Sequence, residues 1–339
     1  MAADPTDSDS ATPLTSEEAK AAEAEAKKNH VYEVVFGSLL LKPRERCDSQ
    51  YPGEFLGQNT DQLYVCQWCF KYTKEPVLFV RHLRLCPLRD SPPPGERIYK
   101  QEDISIYALD GAQHKLYAQN LSLFGKLFLG PKHVFYEVTG FMYYLLVLEN
   151  PVPAIPNTRL GAAAATSELQ VVGFFSKEKL SWGHENLACI CVFPPWQKKG
   201  LGQVLMAASY ELGRHEQRAG PEGPLSDSGH AAYHAYWSKT LSRVILNTSS
   251  DESITIADLR EETAISSEHI YDALNYMKVL EYRDLEGQRE YFINKAKVRA
   301  WLKQRKINNL ESPINMDALI VEEMEEDEDE DEEDEDSEE

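Results

Sequence analysis

The chain predicts a mixed α/β fold, with a metal-binding finger ahead of the core and a helix-turn-helix with a wing behind it. Three observations carry that expectation. Cys66, Cys69, His82 and Cys86 stand at the spacing of a metal finger. The apolar run Leu187-Ala188-Cys189-Ile190-Cys191-Val192-Phe193 has strand length and feeds the turn Gln197-Lys198-Lys199-Gly200-Leu201-Gly202, which opens a helical pattern. After Ser250, two short helical periodicities precede a hairpin-like pattern. With 339 residues, 42% apolar and 27% charged, the chain has material for two or three units.

Residues 1–30 are rich in Ala, Glu, Asp, Ser and Thr without apolar periodicity and read as a disordered leader. Residues 31–95 form an N-terminal region that opens on Val31-Tyr32-Glu33-Val34-Val35-Phe36, a β-rich run closed by Gly37 and predicted as a strand. The finger occupies residues 64–88: Cys66 and Cys69 on a tight turn, twelve residues, then His82 and Cys86 four apart on one helix face. Four protein ligands complete the tetrahedron that Zn²⁺ requires. No position stays open for a catalytic water, so the zinc is structural. Arg81, Arg84 and Arg89 lie along the finger helix, yet one finger reads only about three base pairs, too few for sequence-specific DNA recognition.

Residues 96–248 read as the core. After Pro92-Pro93-Pro94-Gly95, Ile98-Tyr99 and Ile104-Ser105-Ile106-Tyr107-Ala108-Leu109 predict short strands. Residues 120–128 suit an amphipathic helix, and Val134-Phe135-Tyr136-Glu137-Val138 and the run from Phe141 to Leu148 suit strands. The Pro- and Ala-rich stretch 150–168 predicts a long loop before Val171-Val172-Gly173-Phe174-Phe175. The run 187–193 is expected to be a buried strand, ended by Pro194-Pro195. Beyond it, Leu205, Ala208 and Leu212 recur on one helix face, which anchors that helix on the core and points its first N–H groups outward. Gly200 and Gly202 permit close backbone approach, the helix dipole favours an anion, and Lys198 and Lys199 add charge: together, an anion cradle. It lacks the third glycine of a dinucleotide fingerprint.

Gln197-Lys198-Lys199-Gly200-Leu201-Gly202 behind a strand resembles the pyrophosphate loop of GNAT-type N-acetyltransferases. With Tyr64-Val65-Cys66 through Leu88, Val172-Gly173-Phe174-Phe175-Ser176-Lys177-Glu178-Lys179, Asn186-Leu187-Ala188-Cys189-Ile190 and Pro224-Leu225-Ser226-Asp227, residues 31–246 resemble the MYST family of histone acetyltransferases, most closely its fungal "something about silencing" branch. The resemblance implies a GNAT-like mixed α/β acetyltransferase core, acetyl-CoA as substrate, structural zinc, and a lysine on a histone tail, expected on histone four, as acceptor. It also implies nuclear work within a chromatin-targeting complex. Carried over residue by residue, it makes Glu222 the general base, where composition alone would read a surface loop. Cys189 becomes either an acyl-accepting nucleophile of a ping-pong route or a packed thiol beside direct attack. The backbone at Ile190, Cys191 and Val192 is implied to hold the acetyl-pantetheine arm and to offer an N–H to the oxyanion. Gln197, Lys198, Lys199, Gly200, Leu201, Gly202 and Gln203 are implied to hold the pyrophosphate, Ser226 to bond near the thioester sulfur, and Lys132 to be acetylated by the enzyme itself. Lys198 stands where the family commonly has Arg, which keeps charge and loses the forked contact. Gly223 replaces a usual lysine, Ala235 a frequent serine, and Gly130-Pro131 an Asp-His pair.

Residues 249–310 hold the third element: Ile254-Thr255-Ile256-Ala257-Asp258-Leu259, then Ile270, Ala273, Leu274 and Met277, then residues 282–293 with Gly287 as a hairpin turn. Its second helix offers Glu268 and Asp272 against Lys278, which favours a packing module over a DNA reader. The next helix carries Lys295, Lys297, Arg299, Lys303, Arg305 and Lys306, suited to non-specific contact with nucleosomal phosphate. Residues 311–339 form an acidic tail, predicted to be disordered. Its positions 322–339 contain sixteen acidic side chains and no basic one, most of the net charge of −21. Such a field attracts basic partners, histones among them, and repels DNA. Three of the six cysteines belong to the finger and none follows a secreted framework, which indicates a reducing compartment. No apolar run reaches membrane-span length and the N-terminus is unlike a targeting peptide, so no membrane association is expected. Two other classes fit the same residues: a zinc-finger chromatin adaptor whose acetyltransferase fold has lost turnover, and an N-acetyltransferase acting on non-histone substrates.

Overall fold

A computed structural model describes residues 30–43, 51, 59–129, 136–149, 169–249, 254–285 and 288–320. The strands are β1 (His30–Phe36), β2 (Leu39–Leu41), β3 (Asn59–Val65), β4 (Tyr72–Thr73), β5 (Glu96–Gln101), β6 (Ile104–Asp110), β7 (Phe141–Glu149), β8 (Leu169–Glu178), β9 (Cys189–Val192), β10 (Leu280–Leu285) and β11 (Gln288–Ile293). The helices are α1 (Pro76–Leu85), α2 (Lys115–Lys126), α3 (Leu201–Arg214), α4 (Asp227–Asn247), α5 (Ile256–Thr263), α6 (Ser267–Met277) and α7 (Lys295–Gln304). Three sheets result, ordered β2-β1-β3-β4, β5-β6-β7-β8-β9 and β10-β11. The chain divides into two compact units, one of residues 1–94, 109–174 and 191–199, the other of residues 95–108, 175–190 and 200–339.

In the first unit β1 lies parallel to β3, Val34 opposite Leu63 and Phe36 opposite Val65, all four buried. Valine at 34 and 65 and phenylalanine at 36, β-branched and aromatic, suit a covered pleated face. The core there is aromatic: Phe36 stacks on Phe124 at 4.5 Å between centroids, and Phe124 meets Phe193 edge-on at 4.8 Å. Helix α2 begins five residues before the predicted start, because exposed Lys115 and Leu116 add no periodic signal while Ala118 N–H already bonds the His114 carbonyl. The strand expected at residues 134–138 is not observed over Tyr136–Val138, where Val138 O instead accepts the Phe141 N–H in a turn into β7; Val134 and Phe135 lie outside the described residues.

In the second unit α3 and α4 are joined by a buried hydrogen bond from Trp237 Nε1 to Tyr210 Oη, 2.7 Å, beside stacked Tyr210 and Tyr236. Helices α5 and α6 start on side-chain caps, Thr255 with a reciprocal bond from Asp258, and Ser266, which is what their sequence signatures ask for. The hairpin β10–β11 follows with Leu280 opposite Ile293, so the helix-turn-helix with a wing is present; its turn residue Gly287 lies outside the described residues. Residues beyond α7 return to the sheet edge, where Leu319 bridges Tyr99 and Ile320 N–H bonds the Ile98 carbonyl. Among the described residues no helix is long and apolar enough to cross a membrane.

Candidate metal centre and active site

Strands β3 and β4 flank the turn that carries Cys66 and Cys69, closed by the bonds Cys66 N–H to Lys71 O and Phe70 N–H to Cys66 O. Helix α1, opened by Pro76, brings His82 on its last turn, and Cys86 caps its end. The four ligand atoms lie within 4.8 Å of one another, with Cys66 Sγ 3.8 Å from Cys86 Sγ and Cys69 Sγ 3.2 Å from His82 Nε2. Zinc–sulfur bonds of about 2.3 Å at tetrahedral angles put two sulfurs about 3.8 Å apart, so the donor set fits Zn²⁺. The hydrogen bond with Cys66 holds the Cys69 thiol down to about 5, aided by Lys71 N–H and His82, while that bond and burial push Cys66 far up. A metal replaces the protons that four crowded donors otherwise contest. Phe70, behind the ligand turn, packs on Phe124 at 5.5 Å and on Phe193 at 6.0 Å, so the finger braces the residue that follows β9.

Strand β9 is shorter and more exposed than its sequence predicts. It covers four residues, Cys191 is buried, and Cys189, Ile190 and Val192 are half-buried, because β9 is an edge strand of the five-stranded sheet. An edge strand offers one row of backbone groups to whatever lies alongside. Within the first unit, β8 approaches so closely that a Cβ on Gly173 would lie 2.6 Å from Cys191 O and 3.0 Å from Val192 Cα. Phe193 N–H bonds the Val172 carbonyl at 2.8 Å. The Val192 carbonyl accepts a bond from Gln197 Nε2 at 2.8 Å, which folds the following turn back. Lys198, at φ +61°, has left-handed backbone.

Within the second unit Ala188 N–H bonds Ser176 O, and the stretch before β9 pairs with the segment that carries Glu222. The rungs are Ala219 N–H to His184 O, 2.9 Å; Asn186 N–H to Gly220 O, 2.8 Å; and Glu222 N–H to Leu187 O, 2.9 Å, with Leu187 and Pro221 in a parallel bridge. Leu187 therefore belongs to this bridge and not to β9. The ladder sets the half-buried Glu222 against Leu187, which stands two residues before Cys189 in the chain. Helix α3 starts at Leu201 on Gly200, whose φ of +83° is the left-handed region that favours glycine. A Cβ on Gly200 or Gly202 would meet nothing within 4 Å, so no internal packing requires a small residue at either position. Leu205, Ala208 and Leu212 are buried as their spacing requires. Gln203 Nε2 bonds Ala232 O of α4 at 3.2 Å, and Ser226 caps α4 by accepting Gly229 N–H at 3.2 Å. Lys132 lies outside the described residues, as do residues 1–29 and 321–339.

Two arrangements around this ladder carry no local sequence signal. Arg218 Nη1 and Nη2 donate to the carbonyls of Glu178 and Lys179, and Glu216 pairs with both Arg218 and the buried Lys177, whose ammonium is held below its usual range by burial. The imidazole of His269 packs on Gly220. Of the six cations about α7, Lys295 bonds the carbonyls of Thr248 and Ser249, Lys297 pairs with Glu281, and Arg305 lies over Tyr276 and Trp301.

A closed Cys-Cys-His-Cys centre ahead of an α/β sheet whose edge strand leads, along the chain, to a glycine-capped helix start defines a zinc-finger protein with a mixed α/β acetyltransferase core. The chain belongs to the MOZ/SAS family, matched over residues 92–319, and carries a MYST family zinc finger domain over residues 29–86. It is 35% identical over 263 residues to a histone acetyltransferase Tip60 homolog of Caenorhabditis elegans, covering 76% of this chain and 53% of that protein. It is 36% identical over 273 residues to the histone acetyltransferase MOF of Drosophila melanogaster, covering 80% of this chain and 30% of that protein. A histone acetyltransferase of the MYST family 1 of Arabidopsis thaliana is 36% identical over 236 residues, 69% of this chain and 48% of that protein. The chain thus spans about half or less of the length of these relatives.

Proposed function

We propose that this chain is a histone lysine acetyltransferase that moves acetyl from acetyl-CoA to a histone tail lysine, with histone four as the expected substrate. The observation that carries the proposal is the ladder that pins the Glu222 segment beside the stretch leading into Cys189. The relatives' activity supports it. A lysine ammonium has a reference pKa of about 10.4, so freeing the amine at pH 7 costs ~4–5 kcal/mol. Glu222 takes that proton. The amine nitrogen then bonds the acetyl carbon, the carbon–sulfur bond breaks, and the departing thiolate takes up the second proton that the nitrogen sheds as the amide forms. Backbone N–H groups at Ile190, Cys191 and Val192 stabilise the oxyanion, and residues 197–203 with the start of α3 hold the pyrophosphate. In a ping-pong variant of this route, Cys189 accepts the acetyl group first.

The finer assignments belong to the same proposal. These are units at 31–95, 96–248 and 249–310, a place in the fungal "something about silencing" branch, and nuclear work with targeting subunits on nucleosomes. They also include non-specific phosphate contact through Arg299, Lys303 and Lys306, Ser226 near the thioester sulfur, and autoacetylation at Lys132. The test incubates the chain and Glu222→Gln with acetyl-CoA and core histones, then maps acetylated lysines by mass spectrometry. Loss of a general base is expected to lower turnover by about 10²–10⁴-fold. Equal acetylation by both proteins would remove Glu222 from its role, and no acetylation by the wild-type chain with its partners would favour an adaptor.

A further inference from the structure

We propose that His269 of α6 is a positioning residue for acetyl transfer, the edge of its ring serving as the stop against which the Gly220-Pro221-Glu222 segment seats. The proposal rests on Glu222 being the base. Gly220 has φ +104°, and a Cβ there would lie 2.5 Å from His269 Cε1 and 2.6 Å from His269 Nδ1, so the imidazole occupies the place of the missing side chain. The ring is itself held on two sides. It stacks on Trp237 of α4 at 4.3 Å between centroids and 19° between planes, and Trp237 is fixed by its bond to Tyr210. His269 Nδ1 is 2.9 Å from Ser266 Oγ, the cap of the same helix. Along the ladder, Gly220 O accepts Asn186 N–H and Glu222 N–H bonds Leu187 O.

Gly220 is thus held by the ladder through its carbonyl and by the Nδ1–Cε1 edge of the ring where a side chain would stand, two residues before the carboxylate. Without the ring the segment gains room to shift toward α6, which loosens its rungs, and a shift of about 1 Å at a reacting group costs up to 100-fold in rate. This gives the helix-turn-helix a task in the reaction that needs no nucleic acid: it seats the base. The ring is half-buried, and burial favours its neutral form.

Three variants test this in the full chain, with Glu222→Gln alongside: His269→Ala, His269→Phe, which keeps a flat ring, and Gly220→Ala. Two readouts are taken, steady-state acetylation of histones and hydrogen exchange at the Ala219 and Glu222 amides, which needs no activity. The expected result for His269→Ala is a kcat lower by about 10- to 100-fold with an unchanged KM for acetyl-CoA, and faster exchange at both amides. His269→Phe should restore both. Gly220→Ala should lose kcat, and combined with His269→Ala it should cost less than the product of the two single losses. Unchanged exchange in His269→Ala would overturn the seating, and faster exchange with unchanged kcat would overturn its role in positioning. Full activity of Glu222→Gln would instead overturn the base assignment, whatever the His269 variants do.

Discussion

Replacing Gly173 with alanine tests whether the backbone at Cys191 and Val192 holds the acetyl-pantetheine arm. The added Cβ would stand 2.6 Å from Cys191 O, 3.0 Å from Val192 Cα and 3.4 Å from Val192 Cγ2. Relief of the first contact to an ordinary separation needs a displacement of about 0.8 Å, since 3.4 Å begins the normal range. Both partners are backbone in paired strands, and the adjacent 2.8 Å bond from Phe193 N–H to Val172 O resists the shift. Overpacking of this kind costs about 1–3 kcal/mol, a melting-temperature loss of several degrees. The larger effect falls on the ligand: with β9 pushed outward, KM for acetyl-CoA should rise about 10-fold and kcat should fall. Calorimetric titration with coenzyme A, thermal melting and initial rates read the three quantities. Unchanged coenzyme affinity in a protein whose melting temperature has dropped would refute the assignment of the arm to this strand.

Cys66→Ser should abolish binding of one zinc per chain, read by atomic absorption. Through Phe70 and its contacts with Phe124 and Phe193, it should also weaken coenzyme binding. Retention of the metal would contradict the tetrahedral assignment. Glu216→Gln leaves Lys177, whose side chain is 5% exposed, without its carboxylate and facing Arg218. A loss of about 3–5 kcal/mol in urea unfolding is expected, and a loss under about 1 kcal/mol would contradict it. Burial lowers the His269 pKa from the usual value of about 6.5, against the pulls of Glu268 and Asp272 that raise it, and the like charge of His230 adds a lesser lowering. The unfolded chain then binds the proton first, so stability is retained above about pH 6.5 and falls as pH drops through the folded value. Melting curves of wild type and His269→Phe between pH 7.5 and 5.5 should diverge, the variant being flatter.

The features legible in the sequence share one property: their partners are near in the chain. The zinc ligands sit on one turn and one helix, and the cradle on one strand-to-helix turn. Where the reading failed, a distant residue decided. Leu187 looked like strand but is taken by Pro221, and a run that predicted a buried strand became an edge. Lys295 and Arg305 read as open cations, yet carbonyls at residues 248 and 249 and the rings of Tyr276 and Trp301 engage them.

By itself the sequence determined the metal centre, the glycine-bearing helix start, the α/β class and the helix-turn-helix, because spacing and periodicity are short-range and survive without coordinates. Tertiary structure alone decided which backbone Glu222 leans on, which ring fills the place of a side chain at Gly220, and how closely β8 presses on β9. Those choices depend on the three-dimensional packing of distant segments, to tenths of an ångström, and no local pattern of residues encodes such a distance.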